Sequence, residues 1–446
     1  MTSQGTPPNP LPVDTKQPGA WRRIHPLTPL VRAGGPLGGL LLVLISGARR
    51  RGDHTAALIE AGIIGLFLLL GFISWLVTRW RIEDGVLRIE SGLLRRTSRR
   101  FPAEQIQAVD TVRPLVARLF GLAEVRLRMA ASTRESGRLS YLTDAEAERL
   151  RARLLALAHG VDEHTPAPPE RVLTTIPTGP LVISILLSGV GLILEAVIVA
   201  LIILAVVQPS AVGPAVSGTA TALIGLGVSV FRRLNSEYHL TVAEAPDGLR
   251  LRSGLLQMAA ETIPRGRVQG ARMIEPVLWR PFGWCRLVVD VAGKQRGGRE
   301  NRSVAGSLRA VLPVGSKEQA AWLLERILPG VPLNRFPPPA RARWKSPLRY
   351  HHLSWVADRT YAVTTSGRIR KVTDWVPLAK VQSIRRVEGP VQRRLRLATV
   401  HLDTAGTSIH AAVRDRDRDE CAYLVAELPT LCRAARAAAD AGRPPG

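Results

Sequence analysis

Three stretches of the chain carry almost no polar side chains. Residues 61–78 (AGIIGLFLLLGFISWLVT) and 211–231 hold no charge, and residues 179–207 hold one, Glu195. A bilayer core of roughly 30 Å takes about 20 apolar residues as a helix. Lipid offers the backbone no hydrogen-bond partner, so each stretch is predicted to cross as a helix. A weaker stretch, 33–48 (AGGPLGGLLLVLISGA), is predicted to be the first arm of a hairpin with 61–78. It does not suit a secretion signal, because Arg49, Arg50 and Arg51 stand where a small-residue cleavage site belongs. Two transmembrane helical hairpins are therefore expected, at 30–78 and 179–231. Arg79 and Arg81 follow the first and Arg232-Arg233 the second. By the positive-inside rule, the N-terminus and the large polar segments lie in the cytoplasm of a multi-pass cell-membrane (inner or plasma membrane) protein. The Arg49–Arg51 loop argues the opposite way and is outweighed.

Beyond each hairpin the apolar pattern turns from continuous to alternating, and it repeats. Ser91-Gly92-Leu93-Leu94 is followed by Pro102, Gln107 and Pro114. Ser253-Gly254-Leu255-Leu256 is followed by Pro264, Gln269 and Pro276. Ser366-Gly367 is followed by Pro377, Gln382 and Pro390. The first proline stands eleven residues after the serine each time, within FPAEQIQAV, IPRGRVQGA and VPLAKVQSI. The first two copies also share Arg-x-Phe-Gly, at Arg118–Gly121 and Arg280–Gly283. Internal repetition at fixed offsets marks one structural unit used several times.

Each copy reads as mostly β. Asp84-Gly85 and Asp247-Gly248 sit beside alternating runs such as RWRIE and VLRIE, the signature of a hairpin. Proline suits the first residue or the edge of a strand. Further alternating runs follow, then a helical pattern opened by Thr143-Asp144, by Ser316, or after Asp415. The third copy lacks the residues for the extra turn and should open on a shorter hairpin. The expected division is a disordered N-terminus (1–29), hairpin 1 (30–78), domain 1 (79–160), a linker (161–178), hairpin 2 (179–231), domain 2 (232–332), a Pro-rich linker (333–347), domain 3 (348–435) and a disordered tail (436–446).

Two-helix hairpin, Ser-Gly turn, apolar-Pro-x-x-x-[Ile/Val]-Gln, Arg-x-Phe-Gly and closing helix together resemble the bacterial pleckstrin-homology-like (PH domain) membrane proteins of the YdbS/YdbT type, over about residues 30–432. The resemblance implies three PH-like domains, each a sandwich or barrel of about seven strands with one C-terminal helix, on a multi-pass α-helical membrane protein. It implies no catalytic residues. It also implies, as a partner, a shorter single-domain YdbS-like membrane protein, beside which a homo-oligomer stays open.

Charge sharpens this picture. Of 446 residues, 61 are Lys or Arg and 36 are Asp or Glu, a net charge of +25. An anionic cytoplasmic leaflet attracts each nearby Arg by roughly 1 kcal/mol. Arg95, Arg96, Arg99, Arg100, Arg265 and Arg267 are candidate lipid-headgroup contacts. A solvated basic face is the plainer alternative. Nucleic acid is the weakest of the three, because aromatics are 5 % and no stacking motif appears. Three cysteines form neither a disulfide framework nor a metal-ligand spacing. Asp415-x-Asp417-x-Asp419 opens like a calcium loop, but Glu420 and Ala426 fill the positions that need Gly and Glu. No phosphate loop or nucleophile elbow occurs. No enzyme activity, cofactor or metal is expected. The expected role is a membrane-anchored scaffold or adaptor. The alternative is a small transporter or export component built on Glu195, whose carboxyl could carry a proton or bond to Ser217 or Thr219 of the neighbouring helix.

Overall fold

A computed structural model describes residues 21–29, 31, 54–92, 96–129, 137–158, 170–245, 248–264, 266–291, 308–332, 336–406, 408–409 and 411–441. The expected helix at 33–48, Arg95 and Arg265 lie outside the described residues. The chain forms two compact units. Met1–Val109, Val116–Met129 and Gly137–Pro166 belong to the first, Asp110–Leu115 and Ala167–Gly446 to the second.

The first unit holds β1 (Arg22–Arg23), α1 (His54–Val77), β2 (Arg79–Glu83), β3 (Val86–Ser91), β4 (Thr97–Pro102), the start of β5 (Ile106–Arg113), most of α2 (Leu115–Leu119), β6 (Leu122–Met129), β7 (Gly137–Thr143) and α3 (Asp144–Ala158). Strands β1 to β4 form one antiparallel sheet in that order. Between β2 and β3, Asp84 (φ 49°) and Gly85 (φ 69°) both take the left-handed backbone that a tight hairpin demands. Alternation puts Trp80, Ile82, Leu87, Ile89 and Phe101 on one face. They pack with Val125, Leu127, Leu139 and Leu142, and Ala147, Leu150 and Leu154 of α3 close the core at helical spacing. Residues 21–29 are not a loose tail, which corrects the N-terminal expectation. Ile24 is buried in this core and its carbonyl accepts the Trp75 indole N–H at 2.9 Å. The His25 N–H donates to the Tyr141 carbonyl at 3.0 Å.

The second unit begins with β8 (Arg171–Thr175), α4 (Thr178–Leu186), α5 (Gly189–Val207), α6 (Pro209–Glu237), β9 (Thr241–Ala245), β10 (Gly248–Ser253) and β11 (Met258–Pro264). It continues with β12 (Val268–Pro276), a 3-10 turn (Val277–Phe282), β13 (Trp284–Val291), β14 (Leu308–Ser316) and α7 (Lys317–Ile327). Last come β15 (Ser354–Ala357), β16 (Tyr361–Ser366), β17 (Arg370–Pro377), β18 (Val381–Val387), α8 (Pro390–Arg394), β19 (Leu397–Thr404), β20 (Ala411–Asp417) and α9 (Arg418–Ala441). Among the described residues each repeat thus supplies six strands and a closing helix. Strands β1 and β8, ahead of the apolar stretches, add a seventh to the first two copies. The segment 161–178 is therefore more than a linker, because β8 pairs with β9. Residues 436–441 likewise continue α9 instead of starting a disordered tail.

The second and third repeats keep their own cores but share a sheet. Strand β12 pairs with β17, giving a six-stranded sheet ordered β14-β13-β12-β17-β16-β15. Tyr361, Val363 and Trp375 face the core of the second repeat. Their neighbours Ala362 and Val376 face that of the third. The first sheet of the third repeat is buried on both faces, so its strands read as continuous apolar runs (YAV, WV). The Pro-rich segment before it is no free spacer either. Phe336 bridges Trp355, the Tyr350 hydroxyl donates to the Pro338 carbonyl, and Lys345 and Arg341 pair with Asp415 and Asp417. Helix α9 is capped by Asp417, whose carboxylate accepts the Asp419 N–H at 2.9 Å, two residues later than expected.

Candidate functional site: where the apolar helices join the sheets

Among the described residues, two helices are long and apolar enough to cross a membrane, α5 and α6. Helix α1, 24 residues long, exposes Leu66, Leu69, Leu70, Phe72 and Leu76. The apolar run 179–207 is not one helix. Ser188 ends α4 and caps α5, its hydroxyl accepting the Gly191 N–H and donating to the Ile185 carbonyl. Before that break Leu181 and Ile185 lie in the core beneath the sheets. The hairpin proper therefore starts at 189 and not at 179.

At its far end α6 runs on past Phe231 into the fold. Val230 and Leu234 pack against the core, and buried Glu237 holds the Arg286 guanidinium at 2.5 and 3.1 Å. The Asn235 side chain accepts the Leu256 N–H at 2.6 Å and its carbonyl accepts that of Leu255. The Ser-Gly-Leu-Leu turn of the repeat thus sits against the end of the apolar helix. Gly254 has φ 126°, and a Cβ there would strike the Gln257 carbonyl, so the turn requires glycine. Gly92 (φ 103°) and Gly367 (φ 94°) hold the same place in the other copies. Sequence reasoning missed Asn235, Glu237 and Arg286. The signal available was an acid ending an apolar helix, RRLNSE.

The candidate headgroup residues scatter around this geometry. Arg96 is exposed where the β3–β4 hairpin turns. That end of the sheet, with Arg79 opposite Glu90, is also where α1 leads into β2. Arg99 and Arg100, also exposed, lie further along β4, about 7 and 10 Å from Thr97 at the strand rise. Arg267, however, adjoins Pro264, six residues and about 20 Å along β11 from Met258. Arg232, exposed, lies within α6 itself. Of the repeat motif, Pro102 and Pro377 each end a strand and open a 3-10 turn, and Pro264 ends β11. Gln269 is buried and donates to the Arg267 carbonyl, Gln382 is exposed, and Gln107 lies on β5. These residues shape the repeat and do not converge on a ligand.

Glu195 is half-buried, six residues and about 9 Å into α5. Its expected partners are otherwise engaged. Ser217 donates to the Pro214 carbonyl at 2.9 Å and Thr219 to that of Ala215 at 2.8 Å, both on α6 itself. Cys285 and Cys421 are buried, and burial pushes both thiols up to about 12, leaving them neutral and poorly nucleophilic. Among the described residues, no three His, Cys, Asp or Glu side chains gather as a metal site.

The family model of the bacterial PH domain matches residues 36–158, 182–331 and 336–428. The chain belongs to the bacterial PH domain family. A relative from Bacillus subtilis (strain 168), UPF0699 transmembrane protein YdbT, is 23 % identical over 322 residues. That similarity covers 62 % of this chain and 62 % of the relative. No solved structure matches. The three matched segments correspond to the three copies of the repeat, and the first two take in an apolar stretch together with the sheets behind it.

Proposed function

We propose that this bacterial PH-domain protein is a multi-pass, non-enzymatic scaffold or adaptor of the cell membrane. Its PH-like lobes stand in the cytoplasm and bind anionic lipid headgroups or a protein partner. The observation that carries this reading is the rigid join of α6 to the second repeat through Glu237–Arg286 and Asn235. A lobe locked to its anchor keeps one orientation toward the bilayer, which suits presenting surfaces to a partner. Strands β8 and β9, on either side of the apolar helices, pair with each other, so the chain leaves and re-enters the same lobe. The exposed Arg96 just before β4, Arg99 and Arg100 on β4, and Arg232 on α6 support headgroup contact.

In-cell crosslinking followed by detergent purification of the full chain tests it. A protein or an anionic lipid recovered at fixed stoichiometry is expected, and recovery of neither overturns the scaffold reading. Trypsin added outside intact protoplasts is expected to leave the lobes whole. Their digestion overturns the orientation.

A further inference from the structure

The Arg-x-Phe-Gly motif of the second copy lies in the 3-10 turn between β12 and β13, where Val277, Leu278 and Phe282 are exposed. Two bonds fasten this turn to the Ser-Gly turn of the third copy. The Val277 N–H donates to the Ile369 carbonyl at 2.7 Å, and the Arg280 guanidinium donates to that of Arg368 at 2.5 Å. Ile369 is 75 % exposed, between exposed Arg368 and Arg370. Phe282, 54 % exposed, stacks on Trp284 with ring centroids 4.8 Å apart. Apolar and basic side chains thus share one corner, at the end of the sheet where β12 meets β17.

This corner lies toward the bilayer end of α6. Glu237, six residues and about 9 Å past Phe231, holds Arg286. Arg233 is one turn, about 6 Å, nearer the apolar run, and Arg286 and Arg370 are both among the charges acting on it. Ile274 of β12 stands opposite Arg286, and Pro276, two residues or about 7 Å further along, stands opposite Arg370. Going from Glu237 toward the bilayer on the helix is therefore going from Arg286 toward the corner on the sheet. The two turns lie beyond that row, which brings Phe282 and Ile369 toward the level at which α6 leaves its apolar run. Single exposed apolar residues need no explanation, but a cluster of them among cations beside a membrane anchor marks a contact surface.

We propose that this corner rests in the headgroup layer of the leaflet that α6 leaves, with Leu278, Phe282 and Ile369 against the tops of the acyl chains and Arg368 and Arg370 on anionic lipid phosphates. Continuity with α6 and the basic charge commit the surface to lipid. The inference rests on the membrane-anchored reading above and names a lipid contact of its second lobe.

Phe282→Cys and Ile369→Cys in the full chain test this, each labelled with an environment-sensitive fluorophore and reconstituted in vesicles of phosphatidylcholine with phosphatidylglycerol. The three native cysteines are buried, so labelling is confined to the new thiol. Lipids carrying a quencher at the top of the acyl chain are expected to quench both labels. Ala405→Cys is the control. It is exposed in the turn after β19, next to Gly406, which packs on Asp290 at the opposite end of β13, and its label is expected to stay unquenched. Ile369→Cys keeps the test decisive should Phe282→Cys unsettle its turn. Arg368→Gln with Arg370→Gln, or phosphatidylcholine alone, is expected to reduce the quenching, since each Arg contributes about fivefold to attraction by an anionic surface. Labels at 282 and 369 no more quenched than the label at 405 overturn the proposal, and so does quenching indifferent to both the arginines and the lipid charge. A label at 282 that stays in water in the vesicles but crosslinks to a protein in cells gives the corner to a protein partner and overturns it too. Failure of the scaffold reading shows separately, as quenched labels on a chain from which in-cell crosslinking recovers nothing at fixed stoichiometry.

Discussion

The second and third repeats share one motif and differ in what surrounds them. Gln269 is buried on β12, which lies between β13 and β17, whereas Gln382 is exposed on β18, which pairs with β19 alone among the described residues. Gly283 takes a left-handed backbone (φ 66°) to end its 3-10 turn, and Arg396 does the same (φ 52°) where the third copy lacks Arg-x-Phe-Gly. Local turn geometry therefore follows from position in the repeat, even when the preferred residue is missing. Burial follows instead from whether a neighbouring sheet is present.

The strongest way to break this comparison is to remove the neighbour. A fragment of residues 333–446 leaves Tyr361, Val363 and Trp375 without cover. At about 1.5–3 kcal/mol per large apolar side chain, more than about 5 kcal/mol of burial is lost. It is expected to lack a cooperative melt by near-UV circular dichroism, and a sharp transition would show that the third repeat folds alone. Next in size is Asp374→Ala. The Asp374 side chain is 9 % exposed, and removing it leaves Arg272 half-buried with its main partner gone, at a cost of about 3 kcal/mol in denaturant unfolding of the lobes. A loss below about 1 kcal/mol would mean that the junction rests on apolar contact alone.

Acid titration sharpens the same junction. Burial, the largest single influence on Glu275, pushes its carboxyl up, but Lys317 and Lys371 together outweigh it and hold it below the ordinary 4.5. A depressed folded value means that its contribution is complete above 4.5 and is lost as the pH falls through that lower value. Glu275→Gln is expected to flatten the acid limb of a stability-against-pH curve, and an unchanged limb would assign acid unfolding to other carboxylates. Smaller still are the turn exchanges. Gly283→Ala should cost about 1 kcal/mol and Arg396→Gly should gain about as much, read as shifts in denaturation midpoint. The smallest effect expected is that of Arg385→Ala. Its pair with Asp403 leaves 57 % of the Arg side chain exposed, so the change should lie within about 1 kcal/mol by the same unfolding measurement.

What could be read in the sequence was whatever depends on near neighbours. Apolar length marked the segments of α5 and α6, period-two alternation the strands, Ser-Gly the tight turns and Thr143 or Ser316 the helix starts. These features rest on backbone geometry and solvent exclusion within a few residues, so they survive without knowledge of the fold. The break at Ser188 was less visible, because Leu181 and Ile185 are as apolar in a protein core as they would be in lipid. Position alone separates the two environments.

Long-range pairing was decided elsewhere. That Arg272 meets Asp374 across 102 residues, or Glu237 meets Arg286 across 49, has no local signal, since an Arg-rich chain offers many equivalent cations. The sequence determined three repeats, their turns and the apolar anchors. The tertiary structure decided that two repeats share a sheet, that α6 is welded to a lobe, and that β18 pairs with β19 alone among the described residues. The physical reason is that a strand's edge bonds to whatever backbone lies beside it, and its own residues do not specify which.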